Sequence, residues 1–289
     1  MKAIFFALLA AVLYAIGIPI SKLLLDFAPP TMMAAFLYLG AGIGLFVLEG
    51  TKKLFGKAEP QGRLTKKELP FTLAMIILDI IAPILLMFGV KLSFAANVSL
   101  INNFEIVATS VIALMVFREV ISKRLWLSIL LVTLSSFILT FEGEGAFRFN
   151  IGSLFVLGAC LCWGWENNCT KMLSHKNAGE IVIIKGIFSG LGSLIVAFML
   201  GESLPQVLYI ILALILGFFA YGLSILFYIM AQKDLGAAKT SAFYSVSPFL
   251  GVAFGILLLG ERPGLQFYIA LAVMILGIVL MIKDTIKKT

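Results

Sequence analysis

Four ionisable side chains lie within long apolar runs of this sequence: Asp79, Glu105, Glu166 and Lys185. A charged side chain near the centre of a membrane helix costs roughly 2.5–3.5 kcal/mol on insertion scales, so each should have a partner or face water. A carboxylate in such a low-dielectric site can bind a proton near neutral pH. Asp79, Glu105 and Glu166 are therefore candidate proton acceptors, and they are candidate partners for a cation.

Glu105 belongs to a polar stripe. Ser99, Asn102, Glu105 and Thr109 are spaced by 3, 3 and 4 residues, which predicts that they share one face of a continuous helix. Lipid is excluded as the environment of such a face. Two alternatives remain, hydrogen bonding between helices and the lining of a cavity.

Glu166 opens a polar triplet within the run LCWGWENNCTKM, residues 161–172. It lies about seven residues, ~10 Å, from the end of its predicted helix, and Lys185 lies ~8 Å into the next one. Consecutive antiparallel helices usually pack together, so we predict a Glu166–Lys185 ion pair. Around one helix, Trp163, either Glu166 or Asn167, and Thr170 can face inward, while Asn168 bonds a neighbouring helix.

The elements that must hold these groups are membrane helices. The chain has 289 residues, of which 61% are hydrophobic and only 13% are charged, whereas soluble domains contain about 25% charged residues. Its apolar runs do not alternate as barrel strands do, and their length suits helices that cross a ~30 Å hydrocarbon layer. We predict an all-α integral membrane protein with ten transmembrane helices, at about 3–23, 31–49, 70–90, 94–117, 125–141, 151–173, 180–200, 207–230, 237–259 and 266–283.

The basic residues indicate the orientation of these helices. With the N-terminus in the cytoplasm, 17 Lys and Arg fall on the cytoplasmic side, including a cluster in loop 51–69, and 4 fall on the other side. This asymmetry favours cytoplasmic N- and C-termini, and we expect a multi-pass protein of the cell inner (plasma) membrane. The net charge of +7 is thereby explained as a topology signal, and no nucleic-acid partner is expected.

The two halves of the chain, 1–145 and 146–289, resemble each other. At an offset of 149, Tyr14 falls on Trp163; at an offset of 142, Asp79 falls on Tyr221 and Glu119 on Glu261. Each half holds five predicted helices, and because five is odd the second half enters the membrane inverted. Inverted repeats are typical of secondary transporters, with the substrate site at the repeat interface near the midplane.

Aromatic residues add to the predicted cavity, because aromatic faces attract cations. Tyr221 begins a stripe with Ser224 and Tyr228. Asp79, one turn before Pro83, either repairs the backbone near that proline or pairs with a polar neighbour. The predicted substrate-binding residues are Tyr14, Asn102, Glu105, Trp163, Glu166, Asn167, Tyr221 and Tyr244; the coupling candidates are Glu105, Glu166 and Asp79, with Lys185 as ion-pair partner.

The pair FREVISKRLWLSILLVTLSSFILT and LLLGERPGLQFYIALAVMILGIVLM, with LGAAKTSAFYSVSPFLGVAFGILLLGE at 235–261, resembles the EamA branch of the drug/metabolite transporter superfamily. The resemblance covers essentially the whole chain. It implies a central cavity shared by both repeats and alternately open to each side. It also implies export more often than import, of amino acids, nucleosides, drugs or other metabolites.

The leading hypothesis is a secondary active transporter that moves a small polar or amphipathic metabolite by alternating access. No nucleotide-binding loop is present, so the energy is expected to come from a proton or another coupling ion. The carboxylates and aromatics suit an amine or an amino acid-like solute, and Lys185 keeps zwitterions in view. A passive facilitator or channel is the alternative. We expect no enzyme activity, no cofactor and a monomer or homodimer. Cys162, Glu166 and Cys169 could share a helical face, but no matching His or Cys stands elsewhere, so we expect packing rather than a metal site there.

Overall fold

The computed structural model describes residues 2–54, 62–118, 122–140, 150–244, 246–260 and 263–287. In these segments the regular elements are helices. They are α1 (Lys2–Ala15), α2 (Gly17–Leu24), α3 (Pro30–Leu54), α4 (Leu69–Leu92), α5 (Ala95–Ile101), α6 (Phe104–Met115), α7 (Lys123–Thr140), α8 (Ile151–Leu173), α9 (Ala178–Met199), α10 (Val207–Leu216), α11 (Ser224–Leu235), α12 (Ala237–Tyr244), α13 (Ser247–Leu259) and α14 (Leu265–Lys287). A 3-10 turn, Lys66–Glu68, precedes α4, and a π-helical segment, Gly217–Leu223, joins α10 to α11.

The prediction of an all-helical membrane protein is confirmed for the described residues. Six stretches are long and apolar enough to cross a bilayer: Lys2–Leu24, Pro30–Lys52, Lys66–Leu92, Asn97–Met115, Ala178–Met199 and Val207–Leu235. The apolar parts of α7, α13 and α14 are shorter. In α8 the polar run from Glu166 to Thr170 lowers the hydropathy of the helix.

The fourth predicted helix is not continuous, which corrects the sequence prediction for 94–117. α5 ends at Ile101 and α6 begins at Phe104. At the break Asn103 N bonds Leu100 O at 3.1 Å, and Glu105 N bonds Asn102 O at 3.1 Å, which is the three-residue spacing of a tighter helix. The stripe from Ser99 to Thr109 is therefore divided between two helices. Asparagine side chains compete with helical backbone bonding, and two in succession favour such a break.

Three other predicted helices are also interrupted. α12 ends at Tyr244 and α13 begins at Ser247, within the predicted helix 237–259. α1 ends at Ala15, four residues before Pro19, whose ring blocks the bond to that carbonyl. The third interruption is the π-helical segment Gly217–Leu223 within the predicted helix 207–230.

Helices from the N-terminal half pack against helices from the C-terminal half. The main contacts join α3 with α9, α4 and α6 with α8, α7 with α14, α1 with α11 and α12, and α5 with α13. Glycines bring α3 and α9 backbone to backbone: a Cβ atom on Gly186 would lie 2.7 Å from Tyr38 O. Small residues allow this close approach in membranes, so the core lies between the two halves of the chain.

Side chains from distant parts of the sequence form hydrogen bonds with the ends of α3 and α4. At one end of the bundle Glu202 accepts hydrogen bonds from Thr31 N at 3.3 Å and Met32 N at 2.8 Å, in the first turn of α3. At the same end Lys22 Nζ donates to Val90 O at 2.6 Å and Ser93 O at 2.8 Å, near the last turn of α4. These bonds satisfy backbone groups that a helix end leaves unpaired.

At the opposite end the segment before α4 is bound to the start of α9. Lys176 Nζ lies 3.2 Å from a Glu68 carboxylate oxygen. Asn177 N donates to Gly62 O at 3.1 Å, and Leu64 N donates to Glu180 at 3.3 Å. The loop between α3 and α4 thus contacts the α8–α9 connection.

Candidate functional site

A buried ionic triad joins three helices at the centre of the molecule. Lys185 on α9 lies 2.8 Å from Glu166 Oε1 on α8 and 3.1 Å from Asp79 Oδ2 on α4. The side chains are 5%, 2% and 0% exposed, respectively. One ammonium is thus shared by two carboxylates, and the geometry favours the alternative in which Asp79 pairs with a polar neighbour.

Both carboxylates of the triad have further donors. Asp79 Oδ1 accepts from the Tyr38 hydroxyl at 2.8 Å and from Trp163 Nε1 at 3.2 Å. Glu166 accepts from the hydroxyl of Thr170, one turn along α8. Charge-assisted hydrogen bonds of this kind are what a buried charge requires, and they fix the side chains of α4 and α8 against each other.

Glu105 lies on another wall and is bonded through an amide. Asn167 Nδ2 donates to Glu105 Oε1 at 2.7 Å and to Thr109 Oγ1 at 3.2 Å. Asn168 points elsewhere, to Thr109 O at 3.1 Å and to Gly164 O at 2.8 Å. Glu166 and Asn167 both face inward and Asn168 bonds the neighbouring helix, which is the division that helical geometry allows.

These groups line a cavity of about 50 Å³ between the two halves. Its lining comprises Tyr14, Tyr38, Glu105, Trp163, Glu166, Asn167, Thr170, Lys185, Tyr221, Ser224, Ile225, Tyr228 and Tyr244. A water molecule needs about 10–15 Å³ of such space, so the cavity has room for a small polar head group.

Two of the predicted site residues lie beside the cavity rather than on its wall. Asp79 is completely buried behind Lys185 and Trp163. Asn102 lines a smaller adjoining pocket of about 10 Å³, which shares Tyr14, Glu105 and Tyr244 with the main cavity. Asn102 Nδ2 donates to the Tyr14 hydroxyl at 3.4 Å. The interruption between α5 and α6 therefore leaves the side chains of Asn102 and Glu105 both near Tyr14.

Tyrosine rings form a large part of the cavity wall. Tyr14 contacts Tyr221 at 5.6 Å and Tyr244 at 5.5 Å between ring centroids. Tyr228 contacts Tyr244 at 5.0 Å, and Tyr38 contacts Tyr221 at 5.6 Å. Tilted and edge-on pairs at these distances are the favoured arrangement of aromatic rings. The wall offers ring faces and hydroxyl groups together.

Sequence reasoning did not select Tyr38 for the site. Tyr38 has no aromatic counterpart at the repeat offset, where Ile187 stands, and it lies in the apolar part of α3, residues 32–48. Tyr228 and Ser224 belong to the stripe that begins at Tyr221 and could have been chosen from their 3-and-4 spacing. Tyr38 could be assigned to the site only from the packing of α3 against α9.

Metal-binding chemistry finds no support in the geometry. Among the residues the structure describes, no group of three or more His, Cys, Asp and Glu side chains could hold a metal ion. The Cys160 thiol lies 3.6 Å from Asn102 O, at the break between α5 and α6.

Comparison with known proteins decides the family. The model of the EamA-like transporter family matches residues 1–141 and 150–283. The chain belongs to the EamA-like transporter family. It is therefore a multi-pass membrane transporter of the drug/metabolite transporter superfamily, and the predicted resemblance is confirmed.

Individual relatives agree with this assignment. The chain is 27% identical to an uncharacterized transporter of Methanothermobacter thermautotrophicus, over 93% of this chain and 82% of that protein. It is 24% identical to an uncharacterized transporter of Clostridium kluyveri, over 74% of this chain and 72% of that protein. A solved crystal structure with 13% identity matches 99% of this EamA protein and 98% of its own chain, with a TM-score of 0.75. That likeness shows a shared fold.

Proposed function

We propose that this EamA protein is a secondary active carrier that moves a small polar or amphipathic metabolite by alternating access. The observation that carries the proposal is the central cavity, which both halves line and which holds two carboxylates, one lysine and a tyrosine wall. Ionisable groups within the membrane are costly and therefore rare, and those that face a cavity mark substrate or ion pathways. A cavity of this kind is what a solute carrier requires.

The proposed architecture has ten membrane crossings in two inverted repeats, with both termini in the cytoplasm. The crossings are α1 with α2, α3, α4, α5 with α6, α7, α8, α9, α10 with α11, α12 with α13, and α14. Support comes first from the helix contacts. If each crossing is replaced by the one five places along the chain, the α4–α8 contact becomes α11–α1 and the α6–α8 contact becomes α12–α1. The pairs α3–α9 and α7–α14 map onto themselves.

The positions of the helix breaks also support the repeat. The break at Asn102 and Asn103, advanced by the repeat offset of 142, falls on positions 244 and 245, within one residue of the interruption between α12 and α13. The family model likewise matches two consecutive segments of similar length. Discontinuous helices at corresponding positions in the two halves are typical of transporter substrate sites.

Energy for transport is proposed to come from a proton gradient. The candidate proton acceptors are Glu105, Glu166 and Asp79, since a carboxylate at low dielectric can exchange a proton in the physiological range. Family membership favours export across the cell inner (plasma) membrane. The proposed solutes are amines and amino acid-like or drug-like molecules, because carboxylates and tyrosine faces bind cationic nitrogen and Lys185 suits a carboxylate of a zwitterion.

Purified protein in proteoliposomes tests this function. A thermal-shift screen against a metabolite panel first selects a solute, because a ligand stabilises the state that binds it. Flux of that labelled solute is then measured with and without an imposed pH gradient. We expect uptake or efflux driven against the solute gradient in the direction opposite to proton flow. A solute flux that is the same with and without the pH gradient would contradict proton coupling.

A passive facilitator is the second candidate, because it would share the polar cavity and the repeats. The two candidates differ in exchange: a carrier catalyses exchange of labelled for unlabelled solute faster than net flux, whereas an open pathway does not.

A further inference from the structure

We infer that Glu105, rather than Glu166 or Asp79, binds the cationic nitrogen of the solute, with the rings of Tyr14 and Tyr244 completing that subsite. The inference rests on the proposed function and names the part of the cavity that selects an organic ammonium group. It divides three carboxylates that the sequence treats alike into two that hold the helices together and one that meets the solute.

Glu166 and Asp79 already have a cation. Lys185 Nζ lies 2.8 Å from one and 3.1 Å from the other, and both carboxylates have further hydroxyl or indole donors. Asp79 is 0% exposed and does not line the cavity, so a solute ammonium there would have to displace Lys185. At Glu166 an ammonium would lie beside Lys185, whose like charge already contacts that carboxylate and would repel it. These two carboxylates are therefore poorer sites for a second cation than a carboxylate that has no cation beside it.

Glu105 differs in its partners. Its carboxylate accepts from the neutral amide of Asn167 at 2.7 Å, and within the described segments no Lys, Arg or His forms an ion pair with it. Its side chain is half-buried on the cavity wall. A carboxylate that faces a cavity without a cation leaves an excess negative charge there, which an ammonium group would neutralise.

The tyrosines beside Glu105 supply the other half of the subsite. Tyr14 and Tyr244 line both the main cavity and the adjoining pocket, and Glu105 lines both as well. Their rings are 5.5 Å apart and tilted by 40°, so they form a concave aromatic corner beside the carboxylate. Ring faces attract cations most strongly where water is excluded, and the cavity of about 50 Å³ suits a small ammonium head.

The subsite also lies at both helix breaks. Glu105 is in the first turn of α6, directly after the break at Asn102 and Asn103, and Tyr244 is the last residue of α12. A cation held between them therefore contacts one broken helix from each half of the chain. Binding at this point can bias the relative position of the two halves, which alternating access requires.

Tetramethylammonium chloride is the probe, with sodium chloride at equal ionic strength and neutral tert-butanol as controls. Thermal shift and equilibrium binding are measured on wild type, Glu105→Gln and Glu166→Gln, which replace the same group by the same amide. We expect saturable stabilisation of wild type by tetramethylammonium alone. Glu105→Gln should weaken binding by about tenfold or more, whereas Glu166→Gln should keep affinity within about threefold, because Lys185 still pairs with Asp79.

A second pair of variants covers the aromatic side and guards against misfolding of Glu105→Gln. Tyr244→Leu should weaken tetramethylammonium binding several-fold, and Tyr244→Phe, which keeps the ring, should retain it. The inference is overturned if wild type shows no saturable binding, if Glu166→Gln loses affinity as Glu105→Gln does, or if Tyr244→Phe is as damaging as Tyr244→Leu. If the protein exchanges another solute but does not bind tetramethylammonium, the subsite is overturned and the carrier function stands. If it binds tetramethylammonium at this subsite but exchanges no solute, the carrier function is overturned and the subsite stands.

Discussion

At the scale of single residues, the centre of this EamA protein is organised around one lysine. Lys185 pairs with both Glu166 and Asp79, and so links α9 to α8 and α4. The depth of Glu166 and Lys185 along consecutive antiparallel helices could be predicted from helical rise alone. The participation of Asp79 could not, because nothing in a sequence tells how deep a helix from the other half lies against α8.

Lys185→Met should destabilise the protein strongly, because it leaves two carboxylates buried without their cation. We expect a loss of about 3–5 kcal/mol in the free energy of unfolding, measured by titration with a denaturing detergent in mixed micelles. The triple variant Lys185→Met, Glu166→Gln, Asp79→Asn removes the whole charge set and should recover most of that loss. A single Lys185→Met variant as stable as wild type would show that the triad contributes no stability.

At the scale of helices, close backbone packing positions the cavity walls. α3 carries Tyr38 and α9 carries Lys185, and the two helices approach through Gly42 and Gly186. The apolar segments themselves could be predicted from their length. The breaks at Asn102 and at Tyr244 and the π-helical segment could not, since hydropathy does not distinguish backbone bonds over three, four or five residues.

Gly186→Ala should force α3 and α9 apart, because the new Cβ atom would meet backbone atoms of α3, including Tyr38 O at 2.7 Å. Overpacking of this kind costs about 1–3 kcal/mol. Gly50→Ala is the matched control, since Gly50 lies within α3 with no atom within 4 Å of its added Cβ, and it should be neutral or stabilising by up to about 1 kcal/mol. Detergent unfolding of both variants checks the pair; equal effects would contradict the packing account.

Glu202 should stabilise the start of α3, since its carboxylate accepts from Thr31 N and Met32 N. Glu202→Ala removes both acceptors and should cost about 1 kcal/mol. Glu202→Gln retains one acceptor oxygen and should lose less. The same unfolding titration measures both, and an alanine variant no less stable than the glutamine variant would argue against the cap.

At the scale of the whole molecule, the proposed topology and the proposed transport cycle follow from the proposed repeat. The asymmetry of basic residues and the prediction of five helices in each half could be derived from the sequence. The pairing of α3 with α9 and α4 with α8 could not, because the repeat gives equivalence between the halves and not their contacts.

Site-directed labelling tests the ten-crossing topology. In a variant with Cys160, Cys162 and Cys169 replaced, single cysteines at Lys66 and Ser203 are treated with a membrane-impermeant maleimide. We expect Lys66→Cys to react only in inside-out vesicles and Ser203→Cys only in right-side-out vesicles, since these exposed positions precede α4 and follow α9. Labelling of both from the same side would contradict the inverted arrangement.

Counterflow in proteoliposomes tests the central proposal, that this EamA protein transports its solute by alternating access, most directly. Vesicles are loaded with a high concentration of unlabelled solute, diluted into a trace of labelled solute, and sampled over time without any ion gradient. Alternating access predicts a transient accumulation of label above its equilibrium level, because each outward passage of unlabelled solute returns the site to bind label. A monotonic rise to equilibrium with no overshoot would contradict the carrier account and favour a passive pathway.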